Sequence, residues 1–138
     1  MKISTKGRYG LTIMIELAKN YGERPLPLRK IAEEHKLSEP YLEQLISPLR
    51  NSGLVRSVRG ANGGYLLSKP PYEISAAEVI RVLEGPLQIV EALEDEAPAQ
   101  RELWKRIRDA IRDVLDRTTI EDLAKYDEPS DEGYMFYI

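Results

Sequence analysis

The side chains of this sequence that are best suited to binding chemistry are cationic, and most of them lie in the first half. Residues 1–69 contain 12 lysines and arginines against 6 glutamates, whereas residues 70–138 contain 8 against 17 acidic residues. A basic half joined to an acidic half indicates two different kinds of partner, and clustered cations attract the phosphates of nucleic acids. Chance clustering of solvated surface charge is the alternative that composition leaves open.

The residue types required for metal binding or nucleophilic catalysis are scarce. The chain has no cysteine and one histidine, His35, which removes disulfides, thiolate nucleophiles and cysteine-ligated iron–sulfur clusters and leaves too few ligands for a structural zinc site. The glycine-rich segment 60–64 fits a hairpin turn better than a phosphate-binding loop. The pair Asp95-Glu96 fits a solvated loop better than a general acid and base. We therefore expect no enzyme activity, no cofactor and no bound metal.

Helical periodicity in the first half predicts a helix-turn-helix. Apolar residues recur at intervals of three and four within 5–20, 28–35 and 39–50, which predicts three amphipathic helices. Ser38 is placed to cap the third helix. Pro48 is expected to bend or loosen the end of that helix, because proline cannot donate a backbone hydrogen bond. The second and third helices, joined by a short turn, have the pattern of a helix-turn-helix.

A β-hairpin is predicted directly after the third helix. Apolar and polar residues alternate over 54–59, a second run covers 65–68, and Asn62-Gly63 lies between them. Asn-Gly between two short strands is a strong hairpin signal. A hairpin in this place is a wing, so the expected fold is mainly α with a small β-hairpin wing, a winged helix-turn-helix.

The predicted elements carry polar side chains that suit double-stranded DNA. Cations at the starts of helices one and two can contact phosphates, Gln44 can pair with adenine, and an arginine of the wing can enter a narrow minor groove. Each residue alone is more commonly solvated surface, so the prediction depends on their coincidence in one half of the chain. The predicted DNA-binding residues are Lys2, Lys6, Arg8, Arg29, Tyr41, Gln44, Arg50, Arg56, Arg59 and Asn62.

A long amphipathic helix is predicted over 99–117. It follows a shorter helix capped by Ser75 and Glu78 and ended by Gly85-Pro86, and an acidic connector over 88–98. The wide apolar stripe of the long helix must be buried, and in so small a protein a second copy of the same helix is the economical partner. Packing on the winged domain is the alternative. The predicted dimer interface is Leu103, Trp104, Ile107, Ile111, Val114 and Leu115.

The chain is expected to divide into three segments. These are a winged helix-turn-helix domain over 1–70, a connector with dimerisation helices over 71–126, and an acidic linker with an apolar tail over 127–138. No run approaches the roughly 18 apolar residues of a membrane span, and the N-terminus lacks the apolar core of a signal peptide. We therefore expect a soluble cytoplasmic protein without membrane contact.

An ordered set of short motifs resembles one family of regulators, the Rrf-type winged-helix regulators. The motifs are Ser4-Thr5-Lys6-Gly7-Arg8-Tyr9, Ile31-Ala32, Tyr41-Leu42-Glu43-Gln44-Leu45, Gly53-Leu54-Val55, Arg59-Gly60, Gly63-Gly64-Tyr65 and Val82-Leu83-Glu84-Gly85-Pro86. The resemblance covers nearly the whole chain. It implies that dimers pair through the long helix from Leu103 to Leu115 and bind partly palindromic DNA through helix three, Arg59 and the basic start of helix one.

The resemblance also bears on what controls the protein. Members that bind iron–sulfur clusters carry three cysteines in the connector, and this chain has none, which implies that no cluster is bound. Within the family the chain is similar to repressors of cysteine metabolism, which implies repression of sulfur-assimilation genes by a homodimer controlled through association with cysteine synthase. Direct binding of a small molecule between the connector and the long helix is the alternative.

The C-terminal segment offers a physical basis for association with a partner. An acidic spacer is followed by the apolar sequence Tyr-Met-Phe-Tyr-Ile, which can present a docking peptide. Tyr137 and Ile138 are the predicted partner-binding residues. Folding of this tail back onto the dimer is the alternative.

Overall fold

The computed structural model describes residues 2–88 and 95–127, which form six α-helices and one antiparallel hairpin. This confirms the predicted fold class, mainly α-helical with a small hairpin wing. The helices and strands are α1 Thr5–Lys19, α2 Leu28–His35, α3 Glu39–Asn51, β1 Val55–Val58, β2 Gly64–Leu67, α4 Ala76–Glu84, α5 Pro98–Arg117 and α6 Ile120–Tyr126, with one 3-10 turn at Pro71–Glu73.

Side-chain caps fix where several helices begin. The Ser38 hydroxyl oxygen accepts a backbone N–H of the first turn of α3 at 3.1 Å. Ser75 and Glu78 form a reciprocal capping box at the start of α4, and Thr119 and Asp122 form the same arrangement at α6. Each cap satisfies N–H groups that the first turn of a helix leaves without an intrahelical partner.

Pro48 lies within α3 without ending it. The helix continues to Asn51, and the N–H of Ser52 donates to the Pro48 carbonyl at 3.0 Å. Because Pro48 is in the last turn, its missing N–H removes a hydrogen bond only at the end of the helix.

The turn between α2 and α3 is made by Lys36, which adopts a left-handed conformation with φ 55°.

The wing is anchored to the loop between α1 and α2. Val55 pairs with Leu67 across the hairpin, and Tyr65 of β2 also exchanges two backbone hydrogen bonds of 3.0 and 2.9 Å with Leu26. The sequence pattern did not predict this isolated bridge. Gly64 allows the close approach, because a Cβ there would lie 2.5 Å from the carbonyl carbon of Leu26.

One apolar core is shared by both halves of the chain. Ile13 of α1, Leu45 of α3, Val79 of α4 and Ile120 of α6 belong to the same cluster of buried residues. Full burial of such a side chain contributes roughly 1.5–3 kcal/mol. The predicted segment boundary at residue 70 crosses this core, so residues on both sides of it stabilise one packed unit.

The end of α4 caps the start of α1. The Glu84 Oε1 atom accepts the backbone N–H groups of Ser4 and Gly7, each at 3.0 Å, and the Ser4 hydroxyl donates to the same atom. The pKa of Glu84 is lowered mainly by the hydrogen bond from the Ser4 hydroxyl. The two backbone N–H groups and the charge of Lys6 lower it further, whereas desolvation raises it. A carboxylate from a distant helix therefore takes the role of the N-cap side chain.

A buried carboxylate connects α1 with α2 and with the end of α6. Glu16 is 8% exposed, and its Oε1 atom lies 3.3 Å from Lys19 Nζ and 3.1 Å from His35 Nε2. Lys19 Nζ also lies 3.2 Å from Asp127. Although burial works against the charged ammonium, Asp127 and Glu16 raise the pKa of Lys19 above its ordinary value. The partners compensate for the cost of burying the Glu16 charge.

The cap between α4 and α1 leads to a prediction about acid stability. Glu84→Gln is expected to lower the free energy of unfolding at pH 7 by about 0.5–1 kcal/mol, the low end for loss of an N-cap because solvent reaches the half-buried side chain. Since the folded-state pKa of Glu84 is lowered, its stabilisation is present above its ordinary value of 4.5 and is lost as pH falls through the lowered value. Chemical denaturation between pH 7 and pH 3 should show the variant and the parent converging.

The matched control for this prediction is Glu73→Gln, which neutralises an exposed carboxylate of the 3-10 turn. Its effect should be small at every pH. If the free energy of unfolding of Glu84→Gln differs from that of the parent by the same amount at every pH, the cap does not depend on the charge of Glu84.

Candidate nucleic-acid interface

Helix α3 has one face in the core and one face in solvent. Its apolar positions are at most 2% exposed, whereas Glu43, Gln44 and Arg50 are exposed. Burial of the apolar stripe fixes the rotation of α3 about its axis. The polar face of the helix is therefore held toward solvent. An exposed helical face of this kind is the shape that the major groove admits.

Tyr41 of α3, one of the predicted DNA-binding residues, also packs against α1. Its ring is half-buried and meets the ring of Tyr9 in α1 edge to face, with centroids 6.0 Å apart and planes at 83°. This geometry is favourable for two aromatic rings and joins α1 to α3. The predicted DNA contact of Tyr41 stays a prediction, and the structure adds a packing role that the sequence did not reveal.

The cations predicted to contact phosphates are all exposed. Lys2, Lys6 and Arg8 lie at the start of α1, the turn that Glu84 holds. Arg29 lies in the first turn of α2, which follows Pro27 and has no side-chain cap, so that backbone N–H groups and the positive end of the helix dipole are open to an anion. The Arg29 guanidinium approaches Glu33 at 3.9 Å, a weak exposed pair that leaves it available to a phosphate.

The wing presents Arg56, Arg59 and Asn62 to solvent. The loop between the strands closes through a hydrogen bond of 2.9 Å from the Gly63 N–H to the Gly60 carbonyl. The positive φ of this loop, 114°, falls on Gly60, whereas Asn62 does not adopt one. The hairpin is therefore where Asn-Gly predicted it, although the glycine upstream of that pair makes the left-handed step.

Two positioning residues were missed by the sequence interpretation. Glu84 holds the basic start of α1, and Leu26 anchors the wing through Tyr65. The motif containing Glu84 was visible, but its partner Ser4 is 80 positions away. Leu26 lies between two prolines, so no strand periodicity marks it.

One cluster of side chains in the described residues has the composition of a metal site. Ligand atoms of Glu16, Glu34 and His35 lie within 4.8 Å of one another. Lys19 and His35 already contact the Glu16 carboxylate, so its negative charge has partners within the protein. This arrangement explains the buried carboxylate as part of an ion-pair network.

The apolar stripe of α5 is divided between two environments. Ile111 and Leu115 are half-buried where α5 packs against α4. Trp104 is also half-buried, as is Ile107, and the Trp104 indole N–H donates to Glu96. Leu103 and Val114, in contrast, are 50% and 63% exposed. No residue of α5 is fully buried within the chain.

An apolar groove lies beside the exposed edge of α5. It has a volume of about 430 Å³ and is lined only by apolar side chains of α1, α4 and α5 and by Ile3, two positions before α1. The lining residues are Ile3, Leu11, Ala76, Ile80, Ala110, Ile111, Val114 and Leu115.

The predicted partner-binding residues, Tyr137 and Ile138, lie outside the described residues. Among the helices that are described, none has the length and apolar character to cross a membrane.

Comparison with known proteins gives a consistent result. The family model Rrf2, described as an iron-dependent transcriptional regulator, matches residues 3–126. The transcriptional regulator CymR of Bacillus subtilis (strain 168) is 67% identical over 138 residues, which cover 100% of both chains. The transcriptional regulator IscR of Pectobacterium carotovorum is 37% identical over 137 residues, covering 95% of this chain and 84% of that protein.

Solved structures support the same relationship. The structure of CymR, the global cysteine regulator of Bacillus subtilis, superposes with a TM-score of 0.89 at 66% identity, covering 93% of this chain and 99% of that chain. The structure of a transcriptional regulator from Listeria innocua gives a TM-score of 0.87 at 61% identity, covering 100% and 97%. These relatives are regulators, which confirms the expectation of a regulator rather than an enzyme. The chain belongs to the Rrf2 family of transcriptional regulators.

Proposed function

We propose that the protein is a homodimeric repressor of sulfur and cysteine metabolism genes that binds double-stranded DNA in the cytoplasm. The observation that carries the DNA-binding part is the exposed polar face of α3, held opposite a buried stripe and accompanied by exposed cations on α1, α2 and the wing. The similarity to a global cysteine regulator over the full chain supports the choice of genes.

The proposed division of labour on DNA follows from side-chain chemistry. Arginines and lysines at the starts of α1 and α2 neutralise phosphates, which gives affinity without sequence preference. Gln44 has the amide donor and acceptor that match the major-groove edge of adenine. Arg59 at the tip of the wing reaches a minor groove, where narrow A·T-rich segments attract a guanidinium.

The proposed dimer buries the open edge of α5. Leu103 and Val114 are large apolar side chains with half or more of their surface in solvent, and the wholly apolar groove lies next to Val114. A second copy offers the same edge and groove, so that a two-fold axis allows each to cover the other. In such a dimer, two α3 helices would meet successive major grooves about 34 Å apart.

Control through cysteine synthase is the finer part of the proposal. Its support is the likeness to a cysteine regulator together with the sequence of the tail, in which acidic residues precede an apolar end. A short extended segment of this type can be captured in a cleft of another protein. In this proposal Tyr137 and Ile138 provide the contact.

The DNA-binding proposal is tested by selecting genomic fragments of the source organism on the purified protein and sequencing the bound DNA. Partly palindromic sites upstream of sulfur-uptake and cysteine genes are expected. Enrichment elsewhere would retain the winged helix and refute the choice of genes. Binding that requires added cysteine synthase would show that the complex is the DNA-binding unit.

Substitutions in the interface should separate affinity from sequence recognition. On a selected site, Arg59→Gln should weaken binding and Gln44→Ala should reduce discrimination at one base pair by about 1–3 kcal/mol. If 6–10 phosphates are contacted, affinity should fall about 10³–10⁵-fold between 50 and 200 mM salt. Fluorescence anisotropy measures both effects. Lys125→Gln on α6 is the charge-matched control and should leave binding unchanged; an affinity insensitive to salt would contradict the interface.

The dimer is tested by placing a charge on the open edge of α5. Val114→Asp should raise the dimer dissociation constant by about 10⁴-fold, because each of the two copies would bury an unpaired carboxylate at a cost of about 3 kcal/mol, about 6 kcal/mol per dimer. The monomer should remain folded, since Val114 is mostly exposed within one chain. Sedimentation velocity measures the oligomeric state, and circular dichroism reports the fold.

The control for this variant is Lys105→Asp, which places the same carboxylate at an exposed position about 180° around α5 from Val114 and should leave the dimer intact. A Val114→Asp protein that remains dimeric at concentrations where the parent just dissociates would place the interface elsewhere.

The partner proposal is tested by removing Ile138. Deletion of this residue should weaken binding to cysteine synthase by at least about tenfold, the typical cost of losing an anchoring side chain at an interface. Isothermal titration calorimetry with the purified enzyme measures the affinity. Ser130→Ala in the same tail is the control and should bind normally. Equal affinities for the shortened and intact chains would show that the tail is not the ligand.

A further inference from the structure

A second cleft lies between the C-terminal half of α5 and the end of α4. Its volume is about 250 Å³, smaller than the roughly 300–1,000 Å³ of sites for drug-sized ligands. From helical geometry, Arg108 and Arg112 lie about 120–160° around α5 from Val114. The arginine side of the cleft is therefore on a different flank of α5 from exposed Val114, and Ile111 and Leu115 lie between them, lining both the cleft and the apolar groove.

The polar side chains of this cleft carry a positive excess. Arg81 comes from α4 and Arg108 and Arg112 from α5, against one carboxylate, Asp116. The negative end of the α4 dipole is equivalent to about half a charge and does not cancel the net charge of about +2. The lining of the cleft therefore has a charge that attracts anions.

The arginines of the cleft differ from others on the same helix. Arg106 and Arg117 are paired with carboxylates one turn earlier, Glu102 at 3.3 Å and Asp113 at 2.8 Å. In the part of the chain that the structure describes, Arg108 and Arg112 make no ion pair within 4.0 Å, and neither does Arg81. Moreover, Arg108 and Arg112 are four positions apart, a spacing at which like charges destabilise a helix.

We propose that this cleft is a binding site for a small oxyanion, such as sulfate, phosphate or a carboxylate. The planar fork of each guanidinium can donate two parallel hydrogen bonds to such a group. An anion would also remove the repulsion between Arg108 and Arg112. Leu87 and Ile111 line the same cleft and provide an apolar wall for a short hydrocarbon part. This site goes beyond the proposed function, because its occupation requires neither DNA nor a partner enzyme.

The site is tested by titrating the intact protein with inorganic sulfate, inorganic phosphate and the carboxylates acetate, propionate and butyrate. Chloride keeps the ionic strength constant. Saturable binding is expected by calorimetry, with shifts of the Arg81, Arg108 and Arg112 side-chain Nε–Hε signals in NMR spectra. A gain of about fourfold per added methylene would identify an organic carboxylate that uses the apolar wall. Preference for sulfate or phosphate would identify an inorganic anion.

Two double variants of equal charge locate the site. Arg108→Gln with Arg112→Gln should weaken binding by at least about tenfold, whereas Arg106→Gln with Arg117→Gln, on the opposite face of α5, should leave it within about twofold. Thermal unfolding without anion checks that both variants fold. Absence of saturable binding to the parent would overturn the proposal, as would equal weakening in both variants, which would indicate only general charge attraction. Neither result depends on DNA binding.

Discussion

The contact between α1 and α4 is the constraint on which the rest of the structure depends. Glycines at positions 7 and 10 allow the two helices to approach, because a Cβ at Gly10 would overlap the side chain of Leu83 and a Cβ at Gly7 would lie 2.6 Å from Glu84 Oε1. Leu83 fills the space beside one glycine, and Glu84 completes the hydrogen bonds of the first turn of α1. Apolar packing and helix capping thus act at the same place on adjacent residues.

This contact joins the cationic surface to the second half of the chain. The basic start of α1 is held by a residue of α4, and α4 also supports one side of α5. A carboxylate at the beginning of α1 is favourable to the helix dipole, while it withdraws a little of the positive potential that a phosphate would meet there. Lys6 and Arg8 remain exposed, so this turn can be held by Glu84 and still attract an anion.

The elements with local signals were predictable, and those made by distant pairing were not. Periodicity located α2 at its observed bounds, and hydroxyl residues at helix starts identified the caps at Ser38 and Ser75. The pairing of Leu26 with Tyr65 involves two residues only, which is too short to create an alternating pattern. The partner of Glu84 is 80 positions away, and spacing within a sequence window carries no information about it. The same limit hid the contact between Glu16 and His35.

The stripe of α5 shows why a periodic pattern identifies a buried surface without identifying what buries it. Ile111 and Leu115 belong to the stripe predicted to form a dimer, yet they also line the clefts where α5 meets α4. The rest of the stripe, Leu103 and Val114, stays 50% and 63% exposed in the described chain, and these two side chains are what a second copy would cover. A stripe wide enough for two contacts is what a helix requires when it packs on its own domain and on a neighbour at once. The arginines of the cleft beside α4 lie on a third flank of α5 and are explained by neither contact, because apolar packing gains nothing from adjacent guanidinium groups that outnumber the one carboxylate lining the cleft, Asp116.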